Sequence, residues 1–272
     1  SRRSFGDFSY AFAANWSLNR NKVLSLGDEN ADIIKESSYA GGYYLTRVGQ
    51  PVGCYYLLVQ DGIFHNQEEL DSYPHFDTTT IGDFRFVDAN GNGILEKDAD
   101  RVIVGNYMPD FYYGFSVNLS YKGFDLAANF FGTFGNKIFN LQKARYSGAS
   151  GQNVFKGTLN KAWHGEGTSN DIPRLSYNDL NQNYTRVSDF FVEDGDYFRC
   201  KLLTLGYTLP ESVMKQYKLR FYVSFQNLFT ITKYSGMDPE RPFYDGGAIA
   251  TGIDYSNYPT PRTYVIGLDF KF

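Results

Sequence analysis

Residues 111–130 read FYYGFSVNLSYKGFDLAANF, two alternating runs hinged on a Lys-Gly pair. In the first run Phe111, Tyr113, Phe115, Val117, Leu119 and Tyr121 share one face, and Tyr112, Gly114, Ser116, Asn118 and Ser120 share the other. Past Lys122-Gly123 the alternation resumes, with Phe124, Leu126, Ala128 and Phe130 against Asp125, Ala127 and Asn129. A period of two belongs to strands, and a two-residue turn ending in Gly joins antiparallel partners. The stretch predicts a hairpin with one large apolar face and one small, polar face.

Working outward, the same signature recurs. Phe8, Tyr10, Phe12, Ala14, Trp16 and Leu18 alternate with Ser9, Ala11, Ala13, Asn15 and Ser17. Leu203, Leu205, Tyr207 and Leu209 oppose Leu202, Thr204, Gly206 and Thr208, and Leu219, Phe221, Val223 and Phe225 oppose Arg220, Tyr222, Ser224 and Gln226. The chain ends on Tyr264, Ile266, Leu268, Phe270 and Phe272 against Val265, Gly267, Asp269 and Lys271. This pattern predicts an all-β protein with about six long strands.

Composition agrees. Among 272 residues there are 23 Tyr and 24 Phe but only 3 Met and 9 Pro, a balance that suits strands and turns more than helices. The 26 basic and 30 acidic residues leave a net charge of −4 with no basic run, which gives nucleic-acid binding little support. No run approaches the roughly 18 consecutive apolar residues of a membrane-spanning helix. Cys54 and Cys200 fit no metal spacing or redox motif, and a disulfide between them is not favoured over two thiols. The opening SRRSFGDFSYAFA lacks an initiator Met and enters a strand pattern at once, which suggests a fragment of a longer protein.

Connection lengths give the architecture. The turns after Tyr121 and Leu209 are short, whereas the connections over about 20–110, 133–197 and 233–262 are long and rich in Gly, Asn, Asp and Pro. Short turns at one end and long loops at the other are the layout of an antiparallel transmembrane β-barrel. The alternative is a soluble extracellular β-domain that binds carbohydrate through aromatic loops, since a sandwich also alternates. Strands of about ten residues with aromatics near their ends favour the membrane. Six strands cannot close a barrel, and open edges are not tolerated in lipid. The expectation is therefore a barrel segment whose partner strands lie elsewhere.

Several stretches then resemble one family. GDFRFVDANGNGILEKDADRVIVGN (82–106) and MPDFYYGFSVNLSYKGFDLAANFFGTFGNKIFN (108–140) are similar to the C-terminal part of SusC/RagA-like TonB-dependent outer-membrane transporters. So are VGCYYLLVQDGIF (52–64), DYFRCKLLTLGYTLP (196–210) and the pair FQNLFTITKYSGMDPE (225–240) and YPTPRTYVIGLDFKF (258–272). These matches follow the family order across nearly the whole chain.

The resemblance implies that residues 1–272 are the C-terminal barrel segment of a larger, plugged barrel, with the plug domain and TonB contact absent from this sequence. It further implies an outer-membrane importer of oligosaccharides or peptides, not an enzyme, working with a SusD-like surface lipoprotein and driven through TonB. Phe272 becomes the C-terminal aromatic read by the barrel-assembly machinery, at the periplasmic side.

Candidate sites follow. DANGNGILEKDAD (88–100) resembles a Ca²⁺ loop: side chains of Asp88, Asn90 and Asn92 and the Ile94 carbonyl could bind, with Asp98 or Asp100 closing the shell. Ala99 stands where an EF-hand closes with Glu, and the strand-like flanks FRFV and VIVG exclude an EF-hand helix pair. The competing reading is a set of Asx turns with Gly91 and Gly93 at positive φ, needing no metal. No cofactor is otherwise required. Tyr107, Trp163, His164, Tyr234 and Tyr258 fall in the long loops as substrate contacts or as loop packing. Asn118, Asn129, Tyr222 and Gln226 take lumen-facing parity. His65, His75 and His164 sit in no metal spacing and beside no nucleophile motif.

Overall fold

A computed structural model describes residues 1–36, 43–146, 151, 153–240, 243–244 and 251–272. Its main feature is an antiparallel seven-stranded sheet. In spatial and chain order the strands are β1 (Arg2–Phe5), β2 (Phe8–Ser17), β3 (Phe111–Tyr121), β4 (Phe124–Phe134), β5 (Tyr197–Thr208), β6 (Lys218–Thr232) and β7 (Thr263–Lys271). Every neighbour in space is a neighbour among these strands in sequence, so the wall is a simple meander.

The expected hairpin is present in the expected register. Phe124 pairs Tyr121, Leu126 pairs Leu119, and Phe130 pairs Phe115. Lys122 and Gly123 both take positive φ, at 44° and 85°, the twist a two-residue hairpin turn requires. The six long strands expected are β2 to β7, and the sheet carries one short strand besides. It is β1, four residues turned back on β2 through Gly6-Asp7, with Phe5 opposite Phe8. So short a segment gives almost no periodic signal.

The faces also follow the sequence pattern, with one irregularity. Across β4, β5 and β6 the register shifts at Asn129/Phe130 and again at Cys200/Leu202. A bulge adds one residue and inverts parity beyond it. Phe198 therefore joins the face of Leu203, and its ring stacks 5.4 Å from Phe130 and 5.8 Å from Phe115. Arg199 is sent to the polar face.

The turns Gly6-Asp7, Lys122-Gly123 and residues 209–217 lie at one end of the sheet, and the three long connections lie at the other. The described parts of the long connections form sheets of their own. Ile33–Glu36, Tyr43–Thr46, Cys54–Leu57 and Val102–Gly105 form a small antiparallel sheet, and Gln60–Ile63 pairs Phe84–Phe86. A third sheet knits two loops together: Lys137–Asn140 pairs Val192–Asp194 on one side and, in parallel, Thr251–Asp254 on the other. Tyr55 of the first loop donates its hydroxyl to the Gly252 carbonyl of the last, at 3.0 Å.

Burial is inverted relative to a water-soluble domain. The buried clusters sit in the loops: Tyr44, Tyr55, Leu57, Phe139, Leu141, Phe191 and Ile253 form one, and Leu58, Ile63, Phe84, Phe86 and Leu95 another. The sheet's large apolar side chains stay exposed, with Phe124 at 61%, Phe221 at 48% and Ile231 at 64% even on interior strands. Cys54 and Cys200 are buried and unpaired. No described helix is long and apolar enough to cross a membrane, which leaves crossing by strands open.

Candidate functional site

The polar face of the sheet places small residues in rows. Ser9 and Ser120 share a hydrogen bond at 2.6 Å, and Thr204 shares one with Ser224 at 2.9 Å. Asn118, Asn129, Tyr222 and Gln226 all lie on this face: Asn118 pairs Ala11 and Ala127, Tyr222 pairs Gly206 and Gly267, and Gln226 pairs Leu202 and Thr263. Asn118, Asn129 and Gln226 are exposed.

Two charge clusters stand on the same face. Arg220 of β6 reaches across Gly206 to grip Asp125 of β4 with Nε at 2.9 Å and Nη2 at 2.7 Å, and holds Asp269 of β7 at 3.0 Å. Gly206 leaves room for this pair: a Cβ there would lie 2.5 Å from Arg220 Nη2 and Asp125 Oδ1 and would push them aside. Nearer the long loops, the buried Arg199 donates to Thr230 Oγ1 at 2.7 Å, to Asp238 Oδ1 at 2.6 Å and to Glu240, which also pairs Lys201. The Thr260 backbone N–H closes on Asp238 Oδ2 at 3.0 Å. One guanidinium thus ties β5 and β6 to both ends of the last loop.

A third cluster joins the first two loops. Asp83, fully buried, accepts from Arg174 at 2.7 Å, from Asn183 Nδ2 at 2.8 Å and from the Thr80 N–H at 2.9 Å. Asp179 beside it accepts the N–H groups of Asn183 and Tyr184. The sequence patterns did not single out these three clusters. Arg220, Asp125 and Asp269 were marked only by parity, as charges on the small-residue face.

The Asp88 loop is closed by its own backbone. Asp88 accepts from the N–H groups of Gly91 at 2.8 Å and Gly93 at 2.7 Å, and Asn90 and Asn92 each accept from the N–H two residues on, at 3.0 and 2.8 Å. Asp100, fully buried, accepts from Ala89 and Glu96 at 3.0 and 2.7 Å. Gly91 and Gly93 have φ of 72° and 81°. Asp98 turns away to Arg101 at 2.6 Å, its side chain 81% exposed, and so is parted from Asp100. Among the described residues no group of three or more His, Cys, Asp or Glu is gathered to ligate a metal.

The loop aromatics divide. Tyr234 is buried and donates to Asp254 Oδ2 at 2.6 Å, and burial together with that carboxylate pushes its hydroxyl pKa far up. Burial pushes the half-buried Tyr107 up to about 12 as it packs against the Tyr55 cluster. The Trp163 ring lies over Gly82 and packs on the Phe84 cluster. His164 and Tyr258 are exposed, Tyr258 at 87%. Phe272 is 98% exposed just past β7.

This wall-and-loop arrangement has close counterparts. The chain is 34% identical over 98% of its length to TonB-dependent receptor P3 of Formosa agariphila. It is 30% identical over 69% of its length to TonB-dependent receptor SusC of Bacteroides thetaiotaomicron. The RagAB peptide transporter superposes over 98% of the chain with a TM-score of 0.72 at 25% identity, and RagAB in its open-open state with 0.73 at 23%. The chain spans 27% of the P3 receptor and 17% of SusC. No family model matches.

The Arg199 clamp yields a pH prediction. Burial raises the Asp238 pKa, but the hydrogen bonds from Arg199 and Thr260 outweigh it and hold it down at about 2. A depressed carboxylate stabilises above its ordinary pKa and loses that contribution as pH falls toward the folded value. Resistance of the last loop to proteolysis should therefore drop between about pH 4 and pH 2. Asp238→Asn should weaken it at neutral pH, by less than the about 3–5 kcal/mol of a fully orphaned buried charge because Glu240 still faces Arg199, and flatten the acid slope. Identical pH profiles for the two proteins would contradict this role.

Proposed function

Because this chain is homologous over nearly its whole length to TonB-dependent receptors, and over 69% of it to SusC, we propose that it forms part of the barrel wall and outer loops of an outer-membrane nutrient importer. One observation carries the reading: a continuous apolar sheet face that nothing in the described chain covers. Water would penalise such a face by about 25 cal/mol per Å², whereas lipid would not. A soluble carbohydrate-binding domain would bury the Phe115–Phe130–Phe198 face instead.

In this reading the polar face lines the transport path, with Asn118, Asn129, Tyr222 and Gln226 hydrating it. The loops sit at the extracellular mouth. Exposed His164 and Tyr258 are the loop residues left to meet substrate, since Tyr107, Trp163 and Tyr234 serve loop packing. The substrate is an oligosaccharide or a peptide, and the likeness to the solved RagAB peptide transporter supports the peptide class. A SusD-like lipoprotein over the mouth, and drive through TonB acting on a part of the protein outside this chain, complete the proposal. No step calls for catalysis.

Ca²⁺ in the Asp88 loop is a second, separable part of the proposal, favoured by the spacing of its oxygens. Outer-face Ca²⁺ sites work at about 0.1–1 mM. Ca²⁺ in that range should raise the melting temperature of the detergent-solubilised protein, and Asp88→Ala should abolish the rise. No rise in the parent protein would make the loop metal-free.

The wall itself is tested by moving one charge by one residue. Val223→Arg places it on the apolar face and should cost about 2–4 kcal/mol near the bilayer midplane. Ser224→Arg, on the polar face, should fold and insert normally. Folded protein recovered from the outer membrane is the measurement, and equal tolerance of both variants would sink the reading.

A further inference from the structure

Within the loop layer, three cations and a single carboxylate, Glu36, line one cavity. The cavity, about 140 Å³, is lined among others by Glu36, Tyr43, Lys97, Arg101, Gln182 and Arg186. Lys97 belongs to the Asp88 loop and Arg101 follows it, but none of that loop's candidate metal-binding oxygens lines the cavity.

Arg101 is 8% exposed, with its guanidinium 3.3 Å above the centre of the Tyr43 ring. Its Nη2 approaches Asp98 Oδ1 at 2.6 Å but makes no hydrogen bond, and Asp98 is itself largely in water. Arg186 stacks 3.5 Å over the Phe76 ring and donates Nε to the Asn181 carbonyl at 3.3 Å. Burial pulls the Arg186 pKa down to about 10, with Asp179 partly opposing, so it remains cationic at neutral pH. Lys97 Nζ stands 5.8 Å from the Tyr43 ring. Among the described residues, Asp98 is the one carboxylate in ion-pair contact with any of the three.

Gathering like charges around a partly enclosed space is unfavourable unless something answers them. Ring stacking holds both guanidinium planes and leaves N–H edges available, the geometry that grips a carboxylate, sulfate or phosphate by two parallel hydrogen bonds. Gln182 and Thr185 on the same wall add neutral hydrogen-bonding groups. Several waters fit in the volume, and so does one tetrahedral or planar oxyanion.

We propose that this cavity is a binding site for a single oxyanion group, a carboxylate, sulfate or phosphate carried by an acidic ligand. The site does not depend on the transport reading, because it needs only the loop layer to fold.

The test is isothermal calorimetry on the detergent-solubilised full-length protein, with EDTA present so that the neighbouring loop holds no metal. Sodium sulfate, inorganic phosphate and a methyl glucuronide are titrated against sodium chloride at matched ionic strength. At least one oxyanion should bind saturably at one site while chloride does not, and the tightest of the three identifies the source chemistry. Lys97→Gln with Arg186→Gln should weaken that binding at least tenfold. Lys97 is exposed, so Lys97→Gln alone preserves the fold and should still weaken binding a few-fold. Absence of saturable binding in the parent protein, or equal affinity in the single variant, overturns the proposal.

Discussion

A row of side chains crosses the sheet from Tyr10 through Leu119, Leu126, Leu205 and Val223 to Ile266, one from each strand between β2 and β7. Leu205 is 42% exposed although its strand is paired on both sides. What this row touches decides everything else. Facing water, the sheet would be an aggregation surface; facing hydrocarbon, it is at its lowest free energy with its backbone polar groups paired in the ladder. The open edges at β1 and β7 then require further strands beside them, as expected of a chain that spans 27% of the P3 receptor.

The apolar face fixes where the polar chemistry must go. On the proposed reading, charges on the inner strands belong opposite the lipid face, where the rows of Ser, Gly and Ala leave room, while Arg3 of the edge strand β1 shares the side of Tyr10. Arg220 uses that room, lying over Gly206 between two carboxylates on strands either side. Arg199 does the same at the loop end, but its partners come from the last loop, so the mouth is tied to the wall by a buried charge network. The loops need a core of their own, because the wall offers them only a polar surface, and the Tyr55 and Phe84 clusters supply it.

The wall was legible in the sequence because its information is local: alternation sets the face, and Lys122-Gly123 sets the turn. What escaped was non-local or too short. The four residues of β1 carry no period. The bulge at Cys200 is invisible until β5 is laid against β6, and with it the inward turn of Arg199. The loop sheets pair residues such as Phe139 and Ile253 more than a hundred positions apart, which no window along the chain reveals. Tyr107, Trp163 and Tyr234 carried two readings, ligand contact and loop packing, because aromatic loop residues serve both purposes, and only the folded loops show how far each is packed. Spacing equally could not say which of Asp98 and Asp100 turns inward. The structure gives that place to Asp100 and leaves Asp98 to Arg101.

The central claim is that one face of the sheet meets lipid and the other an aqueous path. Nitroxide labels placed singly at positions 221–226 of β6, in the full-length protein in membranes, measure it directly through collision with oxygen and with a water-soluble nickel complex. Positions 221, 223 and 225 should favour oxygen and positions 222, 224 and 226 the nickel complex, with a period of two. Uniform access to the nickel complex along all six would show that no face of this sheet lies in a bilayer.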